Sequence, residues 1–320
     1  MNEPVVIARE LLASIGVAAA QPELTPMHGG RSGALTFRVE VGSQAYALRI
    51  QPEERFTKHF SQLAELQSLA GEAGVAPAVL AVDDRRRAML SEHIPTEPLI
   101  GTLRSSRGLE LLSRIGQQLG ILHELTPPQS LADRCPTVRT RELLQELCSD
   151  GPEFVRRAAV SVTSLEPGPK KAVCHLDLNP TNILFDGEGV RFVDWETAGI
   201  SDPAFDLATV INLLMLDSAS RGALLRGYAR STTPPTEARL EAARRHVYLG
   251  YGAEFLRLAG APAPDWKSEE LPALAEAYGE IALGKLDMAT QHGQWRLGAA
   301  YLGELFRMGR EPLGNLSGVR

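Results

Sequence analysis

Residues 173–208 read VCHLDLNPTNILFDGEGVRFVDWETAGISDPAFDLA. Within them His175, Asp177, Asn182, Asp194 and Asp206 follow one another in an order that suits phosphoryl transfer. The spacing is H-x-D-x-x-x-x-N, and Asp194 stands twelve residues after Asn182, at the end of the strand-like run Val190-Arg191-Phe192-Val193. Such a transfer needs one carboxylate to accept the proton of an attacking hydroxyl, and Asp177 suits that task. It also needs oxygen ligands for a hard divalent cation, with room left for water and phosphates. Asn182 and Asp194 suit this second task.

Local geometry supports the assignment. The apolar runs Asn182–Phe185 and Val190–Val193 flank Asp186-Gly187-Glu188-Gly189, a hairpin turn signal. Asn182 then begins one strand and Asp194 ends the other, so both oxygen ligands meet at one end of the ribbon. Each residue alone also fits ordinary turn chemistry. The ordered set is harder to explain that way, because kinases use the same Asp…Asn…Asp arrangement.

The stretch resembles the aminoglycoside phosphotransferase and choline/thiamine kinase superfamily, small-molecule relatives of the protein kinases. CHLDLNPTN is similar to that superfamily's catalytic loop, and DWETAG…DPAFDLA to its metal-binding segment, most of all in the choline/thiamine branch. The resemblance implies that Asp177 is the base, that Asn182 and Asp194 bind Mg, that Asp206 braces the catalytic loop and that His175 is structural. It implies a two-lobed, protein-kinase-like α+β fold. A small antiparallel β lobe with an opening helix would occupy residues 1–94, and a larger, mainly helical catalytic and substrate lobe residues 95–320. The implied activity is transfer of the ATP γ-phosphate, with GTP left open, to a small-molecule hydroxyl: an amino alcohol, a thiamine-like cation, an aminoglycoside or another sugar. A non-catalytic nucleotide-binding protein on the same scaffold is the competing reading.

Composition bounds the alternatives. The chain has 320 residues, 44% hydrophobic and 22% charged, which is ordinary for a globular protein and long enough for two lobes. A net charge of −6 gives no electrostatic footprint for nucleic acid. Glu3, Arg9 and Glu10 interrupt what a signal peptide needs, and Val5, Val6, Leu11, Leu12 and Ile15 fit an amphipathic opening helix. The apolar-rich run Leu207–Leu216 is too short to span a bilayer. Cys135, Cys148 and Cys174 lack metal-ligand spacing and fit free thiols in a reducing cytoplasm.

Residues 24–94 alternate as strands should. Phe37, Val39 and Val41 interleave with Arg38 and Glu40, and Tyr46, Leu48 and Ile50 follow the turn Gly42-Ser43. Ahead of this hairpin, His28-Gly29-Gly30-Arg31-Ser32-Gly33 would let backbone amides approach phosphates. The resemblance to the superfamily's glycine loop assigns Gly30, Arg31, Ser32 and Gly33 to nucleotide. Period two places Arg49 with Ala45 and Ala47 opposite the apolar face, and a cation there needs an anionic partner. "Leu48-Arg49-Ile50" matches the superfamily's "LRI", which assigns Arg49 to the nucleotide phosphates. The helix over 58–72 should supply the acid that orients Arg49; Glu65 is the acidic candidate, and Gln62 stands where a glutamate is expected. Strands follow over 78–82 and 88–93 around the charged tip Asp83–Arg87. Met89–Pro95 resembles the hinge segment, whose main chain at Glu92 and Ile94 would bind adenine.

Beyond the hinge, helical periodicity covers 109–125, two helices within 139–165, and then about 207–216, 218–230, 236–258, 268–290 and 293–309. Only eleven residues separate Asp194 from Asp206, too few for a protein-kinase activation segment, and no A-P-E follows. In the choline-kinase pattern a late helix places two tryptophans around the cation. The best match here, His246-Val247-Tyr248-Leu249-Gly250-Tyr251-Gly252, has Leu249 and Gly252 at those positions, with Tyr248, Tyr251 and Trp295 as the aromatics at hand.

Overall fold

A computed structural model describes residues 3–17, 21–27, 33–51, 60–148, 152–161, 171–260 and 270–308. By internal contacts the chain forms two compact units, Met1–Arg134 with Lys170–Pro234, and Cys135–Pro169 with Pro235–Arg320. Pro95, the start of the expected second lobe, lies inside the first of these.

The first unit opens with helix α1 (Glu3–Ser14) and strands β1 (Glu23–Pro26), β2 (Leu35–Val41) and β3 (Gln44–Ile50). Helix α2 (Phe60–Glu72), β4 (Val79–Asp83) and β5 (Ala88–Glu92) complete an antiparallel sheet of order β1-β2-β3-β5-β4. Alternation decides what each face does. Leu48 pairs with Leu90, and both are fully buried against Ile7, Leu11 and Leu12 of α1. Burying each such leucine is worth roughly 1.5–3 kcal/mol, which makes the amphipathic opening helix part of this lobe's core. The next pair along, Arg49 and Met89, faces the other way, and Met89 clusters there with Phe60 and Ala64 of α2. The sheet thus buries one face under α1 and turns Arg49 toward the α2 side.

The charged tip at 83–87 is not simply solvated. Arg86 bonds Asp83 at 3.0 Å and also Glu10 of α1, tying the β4–β5 turn to the opening helix.

The remainder of this unit holds α3 (Leu99–Leu103), α4 (Gly108–His123), β6 (Ala172–Cys174), β7 (Ile183–Phe185), β8 (Val190–Phe192), β9 (Gly199–Ser201), α7 (Ala204–Leu213) and α8 (Ser218–Tyr228). α7 begins three residues earlier than its apolar run, because Asp202 Oδ1 accepts the Ala204 N–H at 2.9 Å and starts the helix there. α4 and α8 pack backbone to backbone at glycines: a Cβ on Gly116 would lie 2.0 Å from the Leu224 carbonyl oxygen, and one on Gly227 1.9 Å from that of Ser113.

The second unit contains α5 (Pro136–Cys148), α6 (Glu153–Ser161), α9 (Glu237–Ala259), α10 (Leu274–Ala282) and α11 (Gln291–Met308). The expected helix over 268–290 is therefore much shorter. Gly284 adopts φ 66°, and the Lys285 and Leu286 amides turn back onto the Glu280 carbonyl, closing α10 as a glycine C-cap does. Tyr301 of α11 gathers Tyr248, Tyr251 and Phe255 of α9 at ring separations of 5.5–6.5 Å, and its hydroxyl meets that of Tyr278 at 2.7 Å. Among the described residues, no helix is long and apolar enough to cross a membrane.

Candidate active site

The quoted stretch folds as expected in kind, with shorter strands. β7 and β8 pair three residues each, Ile183 opposite Phe192, and Asp186 Oδ1 accepts the Glu188 and Gly189 amides at 2.9 and 2.6 Å to close the turn. Asn182 immediately precedes β7, and its carbonyl accepts the Val193 N–H at 3.1 Å. Asp194 follows at φ 67°, ψ 64°, a left-handed conformation uncommon outside glycine. Leu176, between His175 and Asp177, is left-handed too, with φ 65°. Strain of this kind persists only where the surroundings hold it in place.

At Leu176, what holds it is Asp206. This fully buried carboxylate accepts the Leu176 amide at 2.7 Å, the His175 amide at 2.8 Å and His123 Nε2 at 3.0 Å. Burial opposes its charge, but these donors outweigh burial and keep its pKa below the usual carboxylate range. His123 Nδ1 then accepts from the Tyr228 hydroxyl at 2.9 Å. His123, Cys174 and Asp206 offer ligand atoms within 4.8 Å of one another, yet the histidine nitrogens and the carboxylate are spent on this brace rather than on a metal.

His175 is buried and neutral. Its Nε2 donates to the Val193 carbonyl at 2.9 Å and its Nδ1 accepts the Asp177 amide at 3.3 Å. Desolvation holds its pKa below the ordinary imidazole value, against the pull of Asp206 and Asp177. It links the segment bearing Asp177 to Val193, next to Asp194.

Asp177 is partly exposed. Asn179 Nδ2 donates to its Oδ1 and Asn182 Nδ2 to its Oδ2, each at 3.2 Å. Asn182 Nδ2 also reaches the Asp177 carbonyl at 2.8 Å, so its amide oxygen is the end turned away from Asp177. On the other side of the hairpin, Arg49 Nη2 donates to Asp194 Oδ1 at 2.8 Å and also bonds Glu196. The structure thus brings together Asp177, Asn182, Asp194 and Arg49.

The acid expected from α2 is not on Arg49. Glu65 accepts instead from the Ser130 hydroxyl at 2.6 Å, and Gln62 lines a cavity of about 40 Å³ with Gln51, Phe60, Leu66, Trp195 and Glu196. Glu196 sits in the 3-10 turn Trp195–Thr197 and also accepts from Gln51 Nε2 at 3.1 Å. Sequence reasoning missed Glu196, Gln51 and Asn179. The signal available for Glu196 was its position two residues after Asp194.

Of the remaining expected residues, Gly33 is exposed at φ 76°, while Gly30, Arg31 and Ser32 lie outside the described residues. Glu92 ends β5 with its amide given to the Ala78 carbonyl at 2.9 Å, which leaves that N–H committed within the sheet. Ile94 follows, buried, at the start of the segment leading to α3.

Comparison with known proteins bears on the family and the fold. Residues 23–243 match the family model described as "Phosphotransferase enzyme family". Protein LicA of Haemophilus influenzae (strain ATCC 51907 / DSM 11121 / KW20 / Rd) is 34% identical over 76 residues, 24% of this chain and 28% of that protein. Thiamine kinase of Salmonella gallinarum (strain 287/91 / NCTC 13346) is 30% identical over 162 residues, 50% of this chain and 53% of the kinase. The alignments therefore span between a quarter and about half the length of these curated relatives. Spectinomycin phosphotransferase, solved with ADP and spectinomycin, shares the fold at a TM-score of 0.61 with 14% identity, covering 98% of this chain and 96% of that one. With its kinase-like α+β fold and a family match across most of its length, the chain belongs to the phosphotransferase enzyme family.

Proposed function

We propose that this chain transfers the γ-phosphate of ATP to a hydroxyl of a small molecule. One observation carries the reading: a connected set of contacts runs from Asp177 through Asn182 and the hairpin to Asp194 and Arg49. In this reading Asp177 orients the acceptor hydroxyl and takes its proton, and the Asn179 and Asn182 amides fix the carboxylate for that task. Arg49 faces the phosphates, and Gly33 belongs to the loop that approaches them. Ile94 and Glu92 contribute main-chain groups toward adenine, Glu92 through its carbonyl.

The donor set fits Mg. Asn182 retains its amide oxygen, and Asp194 retains a second carboxylate oxygen beside the one bonded to Arg49, which makes an all-oxygen, singly charged pair. Held by Asn182 and Asp194, the cation would supply positive charge that offsets the charge of the phosphates. A relative named thiamine kinase and a structural neighbour solved with spectinomycin support the reading of a small hydroxyl compound as acceptor.

A screen for ADP release across amino alcohols, thiamine-like compounds, aminoglycosides and sugars, with products checked by mass, tests the reading. Multiple-turnover ADP formation with a phosphorylated acceptor is expected. Nucleotide binding without turnover on any of these acceptors would leave a binding protein on a kinase scaffold instead.

A further inference from the structure

Kinases orient the phosphate-binding cation of this strand with an acid on the following helix. In this chain Glu65 of that helix bonds Ser130, and among the described residues the acids Asp194 and Glu196 bond Arg49. We propose that Glu196 is the positioning residue for Arg49, taking over the helix acid's role, and that Gln51 fixes Glu196 in turn. The proposal rests on the reading that Arg49 faces nucleotide phosphates.

Three features support it. Arg49 and Glu196 are both largely withdrawn from solvent, with side chains 17% and 11% exposed, so their bond is little screened. Gln51, two residues along from Arg49 and itself only 2% exposed, donates to the same Glu196 oxygen at 3.1 Å. The turn bearing Glu196 is pinned by Trp195 Nε1 on the Phe192 carbonyl at 3.0 Å and by the Thr197 hydroxyl on the His175 carbonyl at 3.0 Å. Asp194 is shared between Arg49 and its ligand role, whereas Glu196 serves Arg49 and Gln51. The consequence is that the phosphate-binding arginine is tethered to the segment that carries Asp194.

Calorimetric titration of ADP and of adenosine, in buffer with EDTA and again with Mg, tests this on wild type, Glu196→Ala, Glu196→Gln, Arg49→Ala and the Arg49→Ala/Glu196→Ala double variant. Without metal, Glu196→Ala should weaken ADP roughly five- to tenfold and leave adenosine within about twofold, as loss of one oriented charged contact does. Glu196→Gln keeps an acceptor oxygen for Arg49 and Gln51 and should stay within about threefold of wild type. In the Arg49→Ala background the Glu196→Ala change should add nothing beyond about twofold. Wild-type ADP affinity in Glu196→Ala, or an undiminished loss without Arg49, would overturn the proposal. So would Glu196→Gln proving as damaging as alanine once Mg is present, which would mark a metal ligand. If Glu196→Ala does not fold by circular dichroism, Gln51→Leu takes its place. It should weaken ADP about threefold without affecting adenosine, and unchanged ADP affinity would overturn the proposal. A wild-type chain that binds ADP no better than adenosine would instead remove the phosphotransferase reading itself.

Discussion

Asp177 has both carboxylate oxygens engaged by amide donors, which fixes the group while leaving it partly open to solvent. Asp177→Asn preserves the shape and removes the proton acceptor. Turnover should fall at least about a hundredfold with nucleotide affinity nearly intact; steady-state kinetics beside calorimetry measures both. At Asp194 the effect should sit in binding instead. Asp194→Ala removes the charged oxygen donor and should weaken Mg-dependent nucleotide binding more than Asn182→Ala, and the gap between titrations with Mg and with EDTA reads it. The neighbouring placement of Asp177, Asn182 and Asp194 was legible in the sequence because all three belong to one short loop and hairpin of fixed local spacing. Glu196 was not, because its partner Arg49 lies 147 residues away and no local pattern announces that pairing. The helix acid failed for the same reason: Glu65 meets Ser130, a contact only the folded chain specifies.

Elements were legible wherever one period dominated. The alternation through β2 and β3 gave a register with Leu48 on the buried face and Arg49 on the other, and the apolar spacing of α1 gave its docking face. Boundaries depended on caps that periodicity does not encode, such as Asp202 starting α7 and Gly284 ending α10. Helix packing through glycine was equally hidden, since glycine adds nothing to an apolar pattern. It yields a contrast between two substitutions of the same kind. Gly227→Ala drives a methyl into the Ser113 carbonyl and should cost about 1–3 kcal/mol as α4 and α8 separate. Gly279→Ala on α10 meets nothing within 4 Å and should stabilise by about 0.5–1 kcal/mol through helix propensity. Urea denaturation of both variants reads the two signs against each other.

The whole molecule carries two consequences, one for pH and one for the acceptor. His175 and His246 are buried with pKa values lowered by desolvation, so the unfolded chain binds protons that the folded chain refuses. Their contribution is intact above the unfolded value of about 6.5 and is lost as pH falls from there toward their folded values, at up to about 1.4 kcal/mol per pH unit for each. Asp206, also lowered, adds a loss of the same sign below about pH 4. The denaturation midpoint should therefore drop steadily from pH 7 to pH 5, and a flat profile would show both histidines charged in the fold. For the acceptor, the expectation is that choline is a poor substrate. A quaternary ammonium has no hydrogen-bond donors and is held by aromatic faces. At the two positions where the choline-kinase pattern has tryptophan, α9 carries Leu249 and Gly252, and Leu249 is buried while a Cβ on Gly252 would meet Leu302 at 2.6 Å. The nearby rings are turned to one another instead. Tyr301 is buried among Tyr248, Tyr251 and Phe255, and desolvation pushes the Tyr248 hydroxyl up to about 12, as befits a ring packed in a core. The α7 helix adds no acid beyond Asp206, which is spent on the His175 and Leu176 amides. With choline, kcat/KM read from ADP release should thus be at least tenfold below that of the best acceptor of the screen, about 1.4 kcal/mol of lost recognition; equal values would show that a cation cage forms without those tryptophans.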